Sequence, residues 1–137
     1  MPGCSLWLVP PPSHPLHAIL STLISKTLPS KFPGKTEPDF PPHMTLASNV
    51  LPSTYGDDPQ TWLDAIPWPA ASVRFETVKS EDTFFRRCYL KVTFTGVRDI
   101  AGLAWARGVG EEESVGERTE SWLEEWTAGF GPHISLI

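Results

Sequence analysis

The sequence predicts an α+β domain, with antiparallel strands and helices packed outside them. Three observations carry this. Residues 72–78 and 83–95 are two strand-like runs joined by the polar turn Lys79-Ser80-Glu81-Asp82, which is a hairpin pattern. Leu16, Ile19, Leu20, Leu23, Ile24 and Leu28 recur at helical spacing. Two short runs answer each other: Phe40-Pro41-Pro42-His43-Met44-Thr45-Leu46 and Phe130-Gly131-Pro132-His133-Ile134-Ser135-Leu136. Each reads His, apolar residue, hydroxyl, Leu, behind a proline. The length, 137 residues, suits one domain with a real core.

Taken in order, residues 4–9 are short and apolar without clear alternation, so they read as a buried central strand that Pro10-Pro11-Pro12 ends. Ser13 or His14 caps the first helix, and Pro15 suits its first turn. His14 and His17 lie outside the repeated motif and read as surface residues. Residues 29–42 form a connection with a turn at Pro33-Gly34, and residues 43–48 form a strand. Residues 49–58 read as a loop. Asp57 or Asp58 before Pro59 signals a short helix, with Trp62, Leu63 and Ile66 inward.

In the hairpin, Val73, Phe75 and Thr77 share one face against Arg74 and Glu76, a half-buried strand. Residues 96–108 read as a helix with Val97, Ile100, Ala101 and Ala104 inward. Residues 119–126 read as another, with Trp122, Leu123 and Trp126 spaced to bury. Between them, Glu111-Glu112-Glu113 reads as a solvated helix start, and residues 109–118 are poor in apolar side chains. Cys4 and Cys88 have no metal-binding spacing and read as buried thiols in a reducing compartment.

The two motifs carry the chemistry. In an extended strand, side chains two apart share a face. His43 and Thr45 therefore stand side by side, with Met44 and Leu46 behind them. His133 and Ser135 repeat the arrangement over Ile134 and Leu136. Two such strands facing each other give a site of two imidazoles and two hydroxyls. Imidazole titrates near neutral pH and can act as base or acid, while hydroxyls can donate to phosphoryl oxygens.

This doubled motif resembles the 2H phosphoesterase family, and in particular its fungal branch of 2′,3′-cyclic-nucleotide 3′-phosphodiesterases. The opening strand Ser5-Leu6-Trp7-Leu8-Val9-Pro10 and the strand Phe84-Phe85-Arg86-Arg87-Cys88-Tyr89-Leu90-Lys91-Val92 ahead of the second motif fit that branch. The resemblance implies a single two-lobed α+β domain over residues 1–137, with antiparallel sheets lining a central cleft, helices outside, and one motif strand from each lobe. The family continues well past the second motif, so the resemblance also implies a C-terminal part truncated at Ile137, the missing part supplying further strands.

The implied reaction is hydrolysis of nucleoside 2′,3′-cyclic phosphates to 2′-phosphates, without cofactor or metal. Related fungal enzymes also open ADP-ribose 1″,2″-cyclic phosphate, a by-product of tRNA splicing. His133 is expected to activate water, His43 to protonate the leaving oxygen, and Thr45 and Ser135 to orient the phosphate. Trp7, Tyr55, Phe84 and Phe85 are candidates to stack on the base, and Arg86 and Arg87 candidates to reach a phosphate. Two rival readings use the same residues. One is a module that binds nucleotides or RNA cyclic-phosphate ends with little catalysis, and the other an RNA ligase-like or RNA-end-processing enzyme.

Charge bounds the partners. A net charge of −5 argues against a broad surface for long nucleic acid, and not against one small cyclic phosphate. No apolar run reaches the roughly 18 residues of a membrane span, and residues 1–20 lack the pattern of a secretory signal. The expectation is a monomeric intracellular protein, cytoplasmic by default, with Golgi association implied only through the fungal relatives.

Overall fold

The computed structural model describes residues 3–31, 40–80 and 88–136. The predicted turn at Pro33-Gly34 and the residues Phe84, Phe85, Arg86 and Arg87 lie outside them. The architecture is α+β. Strand β1 (Cys4–Leu8) leads to helix α1 (Pro15–Thr22), a π-helical turn over Leu23–Thr27, and α2 (Leu28–Lys31). Strand β2 (Met44–Val50) is followed by α3 (Pro52–Tyr55) and α4 (Pro59–Asp64). Next come β3 (Phe75–Lys79), β4 (Tyr89–Val92), α5 (Phe94–Gly108), α6 (Glu117–Ala128) and β5 (His133–Ser135).

The strands join in one antiparallel sheet of order β1-β2-β5-β4-β3. Its two halves, β1–β2 and β5–β4–β3, meet at the two motif strands through the pair Met44↔Ile134. Directly opposed residues share a face. The registers therefore give one apolar row across the whole sheet: Leu8, Met44, Ile134, Leu90 and Val78. Met44 and Ile134 are buried in a core that also takes Leu46, Leu136 and Val92 from the sheet. Leu20 and Ile24 join it from the first helical run, Val97, Ile100, Ala101 and Ala104 from α5, and Leu123 from α6.

A one-residue slip between β2 and β5 would turn histidines into that core, so burial of Met44 and Ile134, about 1.5–3 kcal/mol each, pins the register. Ile134→Ala should cost about 2–5 kcal/mol of stability, read as an earlier midpoint in urea unfolding.

Local signals place the helices. His14 caps α1, its Nδ1 accepting from the Leu16 N–H at 3.1 Å, with Pro15 at the first helical position. Asp58 caps α4, accepting from the Thr61 hydroxyl at 2.6 Å and the Thr61 N–H at 3.3 Å. Those bonds hold its carboxyl below the usual carboxylate range. This support is present above the unfolded carboxyl's pKa and is lost as pH falls through the lower folded value.

Several expectations are corrected. Strand β1 is an edge strand with Cys4, Ser5 and Trp7 exposed, not a central one. Its apolar run holds register shifts that break simple alternation. Strand β3 is the other edge and is exposed throughout, not half-buried. Cys4 is exposed and Cys88 half-buried, and neither is in a disulfide. Ile19 points outward at 62% exposure, because Leu20 and Ile24 turn into the core instead. The segment after β2 contains α3. Helix α5 starts at Phe94, where the chain leaves β4 through an extended Thr93.

The triple glutamate precedes the α6 start at Glu117 rather than forming it. Its Glu112 accepts a hydrogen bond from the buried Thr119 hydroxyl, and Arg118 donates to the Gly110 carbonyl at 3.0 Å. Residues 109–118 are thus tied to α6 by polar bonds despite their few apolar side chains.

Candidate active site

A proline leads into each motif strand, and each histidine is fastened by the same local bond. His43 Nδ1 lies 2.8 Å from the Pro41 carbonyl oxygen, and His133 Nδ1 lies 3.0 Å from the Gly131 carbonyl oxygen. A carbonyl can only accept, so Nδ1 carries a hydrogen in both rings. Nε2 is then the atom at which a proton arrives or leaves.

The two strands reach this geometry differently. Pro41-Pro42 runs straight into β2. Gly131 follows the end of α6, where its N–H donates to the Trp126 carbonyl at 2.7 Å, and it adopts φ +60°. That backbone conformation favours glycine over any residue with a Cβ. Gly131→Ala should therefore destabilise the start of β5 by about 1 kcal/mol and lower kcat more than it lowers stability, because it re-aims the carbonyl that holds His133.

The sheet register brings the four predicted residues together. Continuing the Met44↔Ile134 pair by one residue each way puts His43 opposite Ser135 and Thr45 opposite His133. Each imidazole thus faces the other strand's hydroxyl, with side-chain roots about 4.5–5.5 Å apart. All four line one cleft of about 600 Å³.

Aromatic rings hold the imidazoles. Trp7, opposite Thr45 on β1, stacks on His43 at 3.8 Å and 17°. Phe40 meets His43 edge-on at 6.2 Å. Tyr89 meets His133 edge-on at 5.4 Å, and Phe130 lies near parallel to it at 6.4 Å.

The far wall of the cleft is indole. Trp105 of α5 and Trp122 and Trp126 of α6 line it, stacked successively at 5.5 Å and 5.3 Å with planes within 16°. Phe130 and Asn49 line it too. Among the described residues no carboxylate lines the cleft, so an anion entering it meets hydroxyls, imidazoles and ring faces. Among those residues no group of three His, Cys, Asp or Glu side chains is placed to hold a metal ion, and no helix is long and apolar enough to cross a membrane.

Residues 1–137 match the family described as cyclic phosphodiesterase-like protein. The chain belongs to that family. Its relatives include a 2′,3′-cyclic-nucleotide 3′-phosphodiesterase of Neurospora crassa, 56% identical over the whole of this chain and 71% of that protein. A protein of the same name from Phaeosphaeria nodorum is 42% identical over the whole chain and 69% of its own length. Another from Yarrowia lipolytica is 26% identical over 98% of this chain and 72% of its own. No solved structure matches.

Set beside this cyclic phosphodiesterase-like family, the sequence expectations divide. His43, His133, Thr45 and Ser135 converge on one cleft. Of the stacking candidates, Trp7 has a face on His43 and lies beside the row of motif residues, outside the cleft's lining. Tyr55 sits on α3, its hydroxyl 3.3 Å from Cys4 Sγ, a bond that raises its pKa, and it does not line the cleft. Phe84 and Phe85 lie outside the described residues. Sequence reasoning does not find the indole wall or Phe130 as binding residues. A signal for them is present: Trp122 and Trp126 are four apart, one helical turn, in a chain with 6 tryptophans.

Proposed function

We propose that this chain is a 2′,3′-cyclic-nucleotide 3′-phosphodiesterase that opens nucleoside 2′,3′-cyclic phosphates to nucleoside 2′-phosphates with its own side chains alone. The observation that carries the reading is the opposed register, which brings two imidazoles and two hydroxyls to the lining of one cleft. The names of the relatives support it. In the proposed cycle, neutral His133 takes a proton from water at Nε2 as the water oxygen attacks phosphorus. The bond from phosphorus to the 3′ oxygen breaks. Protonated His43 gives that oxygen its Nε2 proton, and solvent exchange resets the pair. Thr45 and Ser135 donate to the non-bridging oxygens as charge builds on them.

The base lies against the indole wall, by stacking that tolerates any base. ADP-ribose 1″,2″-cyclic phosphate is a second proposed substrate, with the same cyclic diester at the same four groups. The proposed form is a monomeric single domain whose two halves each supply one motif, working inside the cell; a Golgi association rests only on family resemblance.

The test is turnover of adenosine 2′,3′-cyclic phosphate, with the product identified as the 2′-phosphate. Activity should persist in EDTA. A loss on chelation that zinc or magnesium restores would reject the metal-free scheme. Trp126→Ala should raise KM for this substrate about tenfold, from a stacking loss of about 1–3 kcal/mol, and change kcat less.

A further inference from the structure

The same registers that build the catalytic group continue past it. Lys91 is paired with His133, and Thr77 with Lys91, so the row through Trp7, Thr45 and His133 runs on to Lys91 on the same face. In the next row Ser135 is paired with Tyr89, and Tyr89 with Lys79, so His43, Ser135, Tyr89 and Lys79 also share that face. The polar side of the sheet therefore has two parts: imidazoles and hydroxyls on β2 and β5, then two ammonium groups on β4 and β3. A cavity of about 310 Å³ lies over the second part, lined by Lys79, Lys91, Glu76 and Tyr89. It shares Phe130 with the catalytic cleft, so that ring stands between the two spaces.

We infer that Lys91 and Lys79 form a second anion subsite, which takes the 5′-phosphate of a nucleotide whose 2′,3′-cyclic phosphate lies between His43 and His133. The inference rests on the function proposed above and names a feature of its substrate. Strands in a sheet stand about 4.8 Å apart. Lys91 is thus one strand from His133, and Lys79 two strands, about 10 Å, from Ser135, each with a four-carbon stem to shorten the gap. The 5′ carbon is carried on C4′, next to C3′ of the 2′,3′ edge, so a nucleotide held at that edge by the imidazoles can present its 5′-phosphate a short distance away, past Phe130.

Electrostatics favour an anion there. The chain is acidic at −5, yet this cavity holds two cations against one carboxylate. Lys91 pairs with Glu76 at 3.5 Å, with both side chains more than 40% exposed, and such a pair is weak and exchangeable. Among the described residues no ion pair engages Lys79. The end of α6 also borders the cavity, but its Glu125 and Trp126 carbonyls are already taken by the N–H groups of Gly129 and Gly131.

The experiment is calorimetric titration with two stable product analogues, adenosine 2′-phosphate and adenosine 2′,5′-bisphosphate. The bisphosphate should bind about tenfold more tightly, the increment of one charge-assisted phosphate contact. The Lys79→Met, Lys91→Met double variant should bring the two affinities together. Glu76→Gln should widen the gap, because it removes the carboxylate that competes for Lys91. Equal affinities in the unaltered protein would overturn the subsite, and so would a gap that the double variant keeps. Turnover of adenosine 2′,3′-cyclic phosphate without any gap would leave the hydrolytic reading standing and remove the subsite. A gap without turnover would support the subsite and remove hydrolysis.

Discussion

His43→Ala and His133→Ala are each expected to lose about 10²–10⁴ of kcat on adenosine 2′,3′-cyclic phosphate, and the double variant should be little worse than either. Both imidazoles are fastened by Nδ1 to a backbone carbonyl, so both act through Nε2. One must accept a proton and the other give one within the same displacement. Once either is gone the partner has nothing to complete, which is why the losses are not additive. The pH profile should be bell-shaped, and its two limbs belong to the pair rather than to either ring. A single variant that kept near-normal kcat would clear that histidine of its role.

The next largest effects belong to the hydroxyls. Thr45→Val and Ser135→Ala should each lower kcat about a hundredfold, the scale of one donor removed from a developing oxyanion. Both replacements keep the local shape. KM should move less than kcat, since the donors gain most as charge accumulates on the non-bridging oxygens. The register adds a sharper expectation. Continued one residue each way from Met44↔Ile134, it sets His43 opposite Ser135 and His133 opposite Thr45. Double-mutant cycles should show stronger coupling for these cross-strand pairs than for His43 with Thr45, two apart on one strand. Equal coupling for all pairs would mean that the strands do not meet in this register.

Much of this is legible in the sequence, for identifiable reasons. A period of two fixes which side chains share a face, so each His–hydroxyl pair can be placed from spacing alone. Caps are local chemistry, and Asp58 and His14 are readable because each sits beside a proline that starts a helix. The inward face of α5 follows from helical spacing, and Val97, Ile100, Ala101 and Ala104 are all buried.

Strand order is harder, because an apolar run does not say how many neighbours it has. Both β1 and β3 are edges. Trp7 is the instructive residue: the sequence offers it within a strand read as buried and as a candidate to stack on the base, yet it is half exposed and stacks on His43.

The indole wall is legible in part. Spacing marks Trp122 and Trp126 as one helix face, but not that this face meets Trp105 over a cleft. That needs the packing of α5 against α6, a long-range fact. The lysine pair is hidden for the same reason, since Lys79 reads as a turn residue and Lys91 as one member of a strand until the register links them to Ser135 and His133.

The most direct measurement is nitrogen-detected NMR of the histidine side chains, titrated with adenosine 2′-phosphate. Both His43 and His133 should show hydrogen on Nδ1 and should shift at Nε2 together, with one dissociation constant, while His14 and His17 stay still. If only one of the two responds, or neither, the paired imidazoles do not share a phosphorus atom.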